Sequence, residues 1–445
     1  MATRRQFLKS MGAMGAVGMI GGCAVQCGGE SRHPNIVLIL SDDQGWNDVS
    51  LYGGEIPTPH IDSIGLNGIQ FTRFYVAAPV CTPSRYGLLT GRYPCRAPQP
   101  FWSPLMPGQD DEIKLPEGEK TMADELQERG YATALIGKWH LGHGDPEFGP
   151  NEHGFDYFYG FLPGCIDFYT HSYRSDPALY RNKELMDAEG WATDLFTDAA
   201  IQFIEAHREK PFFLYLAYNA PHYGKCTAGN LLQSPPGYAD LQATAKDDRN
   251  VYAAMVKNMD ENIGRLLGKL RDWQLTNNTL VIFLSDNGGS YAYGGNNMPL
   301  LGEKGTLWEG GIRVPCVMQW PARIEPDQVL DQPCCAIDVL PTLLALIGGP
   351  GPSRVIDGVD LSDVILYNAS APSRHLYFLY KRQKAIINGD WKYVRDVTDK
   401  EYLFNLAEDP GEQKNVAAPL PQATIRLRDE LDSFAARMLQ EAEEG

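Results

Sequence analysis

The chain has 445 residues, and its 39 Lys and Arg against 56 Asp and Glu give a formal charge of −17. That balance excludes a general nucleic-acid binder, which needs a basic face, and it requires any anionic substrate to be drawn in by a local cationic pocket. With 43% hydrophobic residues the chain can build a large core and more than one domain.

In chain order, residues 1–23 read as an export signal, outside the fold. "TRRQFLKS" carries Arg4 and Arg5 ahead of Phe7, Leu8 and Lys9, which resembles a twin-arginine signal and implies the twin-arginine export machinery as a partner. "MGAMGAVGMIGG" follows, then Cys23; Ile20-Gly21-Gly22-Cys23 is similar to a bacterial lipoprotein cleavage site, so the expected location is periplasmic or outer-surface. A plain cleaved signal is the alternative. No later stretch is long and apolar enough to span a membrane, which leaves an N-terminal lipid as the membrane contact. Apart from Cys23 and Cys81, seven of the nine cysteines remain, an odd number that argues against a complete disulfide framework. Cys334 and Cys335 read as buried thiols.

The chain then repeats one pattern, an apolar strand ending in a polar motif. "NIVLIL" (35–40) is a fully buried type of strand that stops at Ser41-Asp42-Asp43. "TMADELQERGY" predicts a helix closed by Gly130, before the strand "YATALI" and the motif "GKWHLG". "TDLFTDAAIQFIEAHREK" spaces Phe196, Ala200, Phe203 and Ile204 as a helix, before "FFLYLAY" and "NAPH". "VYAAMVKNMDENIGRLLGKL" sets Met255, Met259, Ile263, Leu266 and Leu270 on one helix face, before "TLVIFL" and "SDNGG". Alternating helices and buried strands predict an α/β fold with a large, mainly parallel sheet sandwiched by helices. Ligands bind outside the carboxyl ends of such strands, so all four motifs point to one edge.

After about residue 345 the texture changes. "GGPGPS" breaks the chain, and "HLYFLY", "KAIING" and "WKYVRD" read as short strands with a turn at Asn388-Gly389. The expected division is a catalytic domain over 33–345 and a smaller C-terminal α+β subdomain over 346–445, with a short antiparallel sheet and a charged helical tail.

Asp42, Asp43, Asp286 and Asn287 offer only oxygen acceptors. Hard oxygen donors select Ca²⁺ or Mg²⁺, whereas zinc calls for His or Cys. Each pair alone is an ordinary turn or cap; two pairs at one sheet edge favour a metal site. Lys138, His140, His222, Lys304 and Arg85 add a cationic set suited to a tetrahedral oxyanion, with Lys and Arg clamping oxygens and His moving protons. Within "PVCTPSRYGLLTGRYP" (79–94), Cys81 sits in what reads as a Pro-, Ser- and Arg-rich turn. A lone Cys is ordinarily a small buried hydrophobe, and a thiolate is a poor partner for a hard cation held by carboxylates.

Cys81-Thr82-Pro83-Ser84-Arg85 followed by "YGLLTGRYP" resembles the signature of the formylglycine-dependent sulfatases of the alkaline-phosphatase-like superfamily. "PNIVLILSDDQGW", "TPHID", "GYATALIGKWHLG", "HGFDYFYG", "APH", "LSDNGG", "GTLWEGGIRVP" and "GDWKYV…LFNLAEDPGE" follow the family in order from residue 33 onward. The resemblance implies that a maturation enzyme oxidises Cys81 to formylglycine, whose hydrate supplies oxygen as nucleophile. It implies one divalent cation, Ca²⁺ ahead of Mg²⁺, held by Asp42, Asp43, Asp286, Asn287 and modified Cys81. Arg85 would hold the hydrate, Lys138 and Lys304 the sulfate oxygens, His222 would protonate the leaving alcohol, and His140 would deprotonate the second hydroxyl. Rival readings are a phosphate or phosphonate monoester hydrolase of the same superfamily and a lipoprotein that binds sulfated glycans without turnover.

The expected substrate is a sulfated carbohydrate attacked at a chain end. Aromatic, polar loops at 97–105, 154–174 and 290–297 suit a sugar pocket. The net negative charge disfavours a long polyanion across the surface. Trp102, Asp167, His171 and Arg174 are the candidate substrate contacts.

Overall fold

The Asn35–Ser41 run is buried at every position and forms the middle strand of the sheet. It pairs in parallel with Phe212–Ala217 on one side and with Thr279–Ser285 on the other. Ala132–Lys138 and Tyr157–Phe161 extend the parallel set outward. Cys316–Gln319 runs antiparallel between Thr279–Ser285 and Ile69–Phe71, and short edge strands bring the sheet to ten. The structure, a computed structural model, describes residues 33–224, 231–241 and 248–444; the export signal and Cys23 lie outside them.

Helices cover both faces, as the alternation predicts. Ala192–His207 and Arg249–Asp272 lie on one face, where Phe196, Phe203, Met255, Met259 and Ile263 meet Val37, Ile39 and Leu214 from the strands. On the other face Tyr86, Leu88 and Leu89 of the Cys81–Thr90 helix join Leu38, Leu40 and Tyr215. Each fully buried Ile, Leu or Phe on these faces contributes about 1.5–3 kcal/mol. No helix of the described residues is long and apolar enough to cross a membrane.

One local reading changes. The segment from Cys81 to Arg85, which the sequence suggests is a turn, is the first part of the Cys81–Thr90 helix, buried along its whole length. Pro83 falls in the opening turn, where a missing N–H costs nothing. Gly91 closes the helix in the left-handed region at φ 68°, donating its N–H to the Gly87 carbonyl. Cys81 and Arg85, four residues apart, therefore share one helix face.

In the C-terminal part, His375–Tyr380, Gln383–Asn388, Trp391–Arg395 and Glu401–Asn405 form an antiparallel sheet in sequence order. Its Ile386, Tyr393 and Leu403 pack against Leu427 and Leu431 of the Pro421–Glu444 helix. Its opposite face, with Phe378, Ala385 and Val394, joins the main core. Cys81, Cys95, Cys316, Cys334 and Cys335 are free and buried, while Cys165 is disulfide-bonded.

Candidate active site

The strand ends converge as their register dictates. Ser41 faces Ser285 across the parallel ladder, so Asp42-Asp43 and Asp286-Asn287 emerge side by side. Asp43 takes a left-handed φ of 64°. Its N–H donates to Asp286 Oδ1 (3.1 Å), and its carbonyl accepts the Tyr252 hydroxyl (3.0 Å). Tyr252 is held by Asp48 (2.8 Å), a buried carboxylate that also accepts the Gly45 and Asn296 amides. The strained turn that projects two carboxylates into one place is thus pinned from behind.

Ala132–Lys138 delivers the next groups. Gly137, at φ 107°, lies so close to its neighbour that an added Cβ would stand 1.9 Å from the Ala217 carbonyl oxygen, and this passage turns Lys138 toward the site. Lys138 Nζ donates to Asp42 Oδ2 at 2.7 Å, both side chains fully buried. His140, also left-handed (φ 59°), donates from Nε2 to the Leu105 carbonyl (3.0 Å), which leaves Nδ1 as a bare acceptor, buried and without a partner among the described residues. Burial, aided by Lys138, keeps this imidazole neutral, well below its ordinary range.

The Cys81–Thr90 helix faces these carboxylates. Cys81 Sγ lies 3.5 Å from Asp42 Oδ1 and 3.6 Å from Lys304 Nζ. Burial pushes its thiol up to about 12, so at neutral pH it is not a thiolate. Arg85 commits Nε and Nη2 to Asp286 Oδ2 (3.1 and 2.9 Å) and Nη1 to the Lys138 carbonyl (3.2 Å). It therefore orients Asp286 and reaches Asp42 only at 3.7 Å. Burial and the neighbouring Asp42 charge lift Asp286 to about 6.

His222 and Lys304 close the site. His222 Nδ1 donates to the Tyr223 carbonyl (2.8 Å), which turns Nε2 toward Asp43 Oδ2 at 3.6 Å. Burial holds His222 down to about 3. Lys304 Nζ donates to Asp43 Oδ2 at 2.6 Å. Burial alone would raise Asp43, but Lys304 and His222 outweigh it and hold the carboxyl at about 2. All ten residues expected on catalytic or metal grounds are therefore in one buried cluster.

The four candidate substrate contacts divide. Asp167, His171 and Arg174 line one open cavity of about 750 Å³, on a segment that passes the catalytic groups: a Cβ at Gly164 would meet the His140 ring at 2.8 Å. Asp167 accepts the Tyr169 and Thr170 amides and the Gln233 side chain, and His171 bonds the Gly190 carbonyl, so both hold the loop. Arg174 lies over the Tyr173 ring. Trp102 is not in that cavity; its indole N–H donates to the Ala97 carbonyl.

Sequence reasoning missed the groups that hold the Lys304 loop. Gln383 accepts the Leu307 amide (3.1 Å) and donates to the Gly305 carbonyl (2.9 Å). Glu412 accepts the Glu309 amide (2.7 Å). Lys392, fully buried, bridges Glu309 (2.9 Å) and Glu412 (2.8 Å). The available signal was Lys392 sharing a strand face with the buried Val394.

A family model described as Sulfatase matches residues 34–349, and a second, described as N-sulphoglucosamine sulphohydrolase, C-terminal, matches 301–436. The chain belongs to the sulfatase family. It is 34% identical over 472 residues to the N-acetylgalactosamine-6-sulfatase of Homo sapiens, covering 93% of this chain and 87% of that protein. It is 32% identical over 442 residues to the steryl-sulfatase of Homo sapiens, covering 80% and 73%. The crystal structure of Ps i-CgsB in complex with k-i-k-neocarrahexaose superposes with a TM-score of 0.84 at 31% identity, covering 92% of this chain and 94% of that one. This sulfatase has the alkaline-phosphatase-like fold and is a sulfuric ester hydrolase.

Proposed function

We propose that this sulfatase removes sulfate from a terminal sugar of a sulfated carbohydrate, with residue 81 acting as a formylglycine hydrate. The observation that carries the reading is the position of Cys81. A thiol kept protonated by burial is no nucleophile, yet it stands between the Asp42 carboxylate and the Lys304 ammonium where a reacting oxygen belongs. Oxidised to the aldehyde and hydrated, residue 81 offers two hydroxyls there.

One hydroxyl attacks sulfur in line as its proton passes to Asp42 Oδ1, the carboxylate oxygen beside residue 81, the bond from sulfur to the sugar oxygen breaks, and His222 Nε2 supplies the proton to the departing alcohol. His222 is neutral in the buried site, and the negative charge of a bound ester favours its protonated form. Lys138 and Lys304 hold sulfuryl oxygens as charge builds on them. His140 Nδ1 then takes the proton of the second hydroxyl. Its oxygen closes to the aldehyde as the bond from carbon to the sulfate oxygen breaks, and inorganic sulfate leaves. Arg85 keeps Asp286 in place throughout.

The residues fit a hard cation. Asn287 donates through Nδ2 to Asp43 Oδ1 (2.8 Å), which leaves Asn287 Oδ1 buried and without a partner among the described residues, beside three carboxylates. Asp42, Asp43, Asp286 and Asn287, with residue 81, would hold it. A bound cation supplies positive charge that activates the attacking hydroxyl and offsets the sulfate. An all-protein oxygen cage suits Ca²⁺ better than Mg²⁺, which keeps its waters. Asp286→Ala is expected to lose both the bound cation, by elemental analysis, and turnover; stoichiometric zinc in the wild type would contradict the ligand assignment.

The sugar reading draws on the relatives named for N-acetylgalactosamine 6-sulfate and on the oligosaccharide bound in the superposed structure. End action draws on the net charge of −17, which repels a long polyanion. Asp167, His171, Arg174 and Trp102 remain the proposed sugar-facing residues, the first two acting mainly by shaping the loop. We also propose a catalytic part over 33–345 whose site is closed by 346–445, and export with a lipid at Cys23. Sulfate release should be faster from oligosaccharides sulfated at the terminal sugar than from internally sulfated polymer; equal or faster release from intact polymer, with no gain on trimming its chains, rules out end action.

A further inference from the structure

Asn219 is fully buried, and neither atom of its side-chain amide has a hydrogen-bond partner among the described residues. A buried amide left this way costs about 1–3 kcal/mol for each unsatisfied group, so it demands an account. Its place in the fold supplies one. Phe212–Ala217 lies between the strands that deliver Asp42 and Lys138, with Ala217 facing Leu40 on one side and Gly137 on the other. The ladder continues past its last pair: the Tyr218 N–H donates to the Leu40 carbonyl (2.9 Å) and the Asp42 N–H to the Ala220 carbonyl (3.1 Å). Asn219 lies between those two bonds, at the same edge as Asp42.

Its direction follows from its neighbours. Tyr218 and Ala220 both pack into the apolar cluster on the face of the Ala192–His207 and Arg249–Asp272 helices. The residue between them on an extended chain projects the other way, to the face where Arg85 lies with Asp42 and Asp286. Two other buried side-chain atoms without a partner among the described residues, Asn287 Oδ1 and His140 Nδ1, also follow strands that end at this edge of the sheet. Those two have functions in the proposed reaction.

We propose that Asn219 is a further residue of the oxyanion site, donating its amide N–H to an oxygen of the tetrahedral sulfuryl group. The inference rests on the sulfatase site described above. An amide suits this position because it donates without adding charge to a cluster that already balances three carboxylates against Lys138, Lys304 and Arg85. A donor aimed where charge grows in the transition state is typically worth about 10²-fold in rate.

Asn219→Ala should lower kcat/KM for a sulfated sugar by about 10²-fold, with cation content and thermal stability near wild type. In a Cys81→Ala background, calorimetry should show about 10-fold weaker binding of inorganic sulfate when Asn219 is also alanine, a smaller factor than in the rate because the donor acts most strongly on the transition state. Asn219→Asp should be worse than alanine in both measurements, because a carboxylate repels the anion. A purely structural amide, solvated by a buried water, predicts a lowered Tm with unchanged activity per folded molecule and unchanged sulfate affinity, and that result overturns the assignment. A wild-type enzyme that binds no sulfate and releases none from any sulfated sugar would overturn the parent reading instead, so the two failures are distinct.

Discussion

Cys81→Ala is expected to lower turnover by about 10⁴-fold or more, the scale on which loss of a covalent nucleophile acts, while the protein folds as before. Cys81 is buried in the first turn of a helix held by apolar packing, by the Arg85 contacts to Asp286 and the Lys138 carbonyl, and by the Thr82 hydroxyl, which bonds the His140 carbonyl and the Leu105 amide; none of these uses the sulfur. Removing its sulfur should therefore cost about 1 kcal/mol of stability, the scale of a small core truncation. The loss must come from chemistry. The unmodified thiol cannot substitute: burial holds it at about 12, so thiolate is essentially absent at neutral pH. Mass spectrometry of the peptide containing residue 81 should show the sulfur replaced by an aldehyde oxygen in protein made with maturation machinery. Full activity from protein carrying an unmodified thiol would falsify the nucleophile assignment.

How far the sequence foretold this site follows from where each residue lies. Asp42, Asp286 and Lys138 each end a long apolar strand, and strand ends are legible because a fully buried parallel strand has no other reading once helices alternate with it. The parallel register then brings them together without further information. The helix at Cys81–Thr90 was not legible as a helix. All ten of its residues are buried, so it carries no amphipathic stripe, and Ser84 and Gly87 disfavour a helix locally. Tertiary burial overrode propensity there. Left-handed backbone at Asp43 and His140 also left no trace in sequence, although it aims both side chains. The loop contacts were hidden for another reason: Asp167 and His171 look like ligand-binding residues by type, but their polar atoms are spent on nearby backbone and on the Gln233 side chain, which the sequence does not show.

The C-terminal sheet supports the site through its charged residues. Lys392 pairs with Glu412, from its own C-terminal part of the chain, and with Glu309, which also accepts the Tyr75 hydroxyl (3.0 Å) and pairs with Arg313 (3.3 Å). Glu309 begins the short helix that follows the Lys304 loop, so this ion cluster and Gln383 fix the loop from two sides. Lys392→Met should destabilise the protein by about 3–5 kcal/mol, the cost of leaving buried carboxylates without their cation. It should also weaken turnover, because Lys304 loses its support. Adding Glu309→Gln and Glu412→Gln to the methionine variant should recover much of the stability, since the penalty lies in uncompensated charge rather than in the lost contact itself.

Titration offers an independent check. Burial pushes Glu412 up to about 7 even though Lys392 opposes the shift. The folded chain thus keeps a proton that the unfolded chain releases near 4.5. The stability this group contributes is complete below the unfolded value and is lost as pH rises through about 7. Glu309, held low mainly by Lys392 against the effect of burial, acts in the opposite sense, its contribution lost as pH falls. Urea unfolding across pH 5–8 should show a decline in wild type that is smaller in Glu412→Gln, the remainder coming from other buried carboxyls such as Asp286, lifted to about 6. A Lys392→Met variant within 1 kcal/mol of wild type, with a flat difference across that range, would show that the cluster is not what ties the Lys304 loop to the C-terminal sheet.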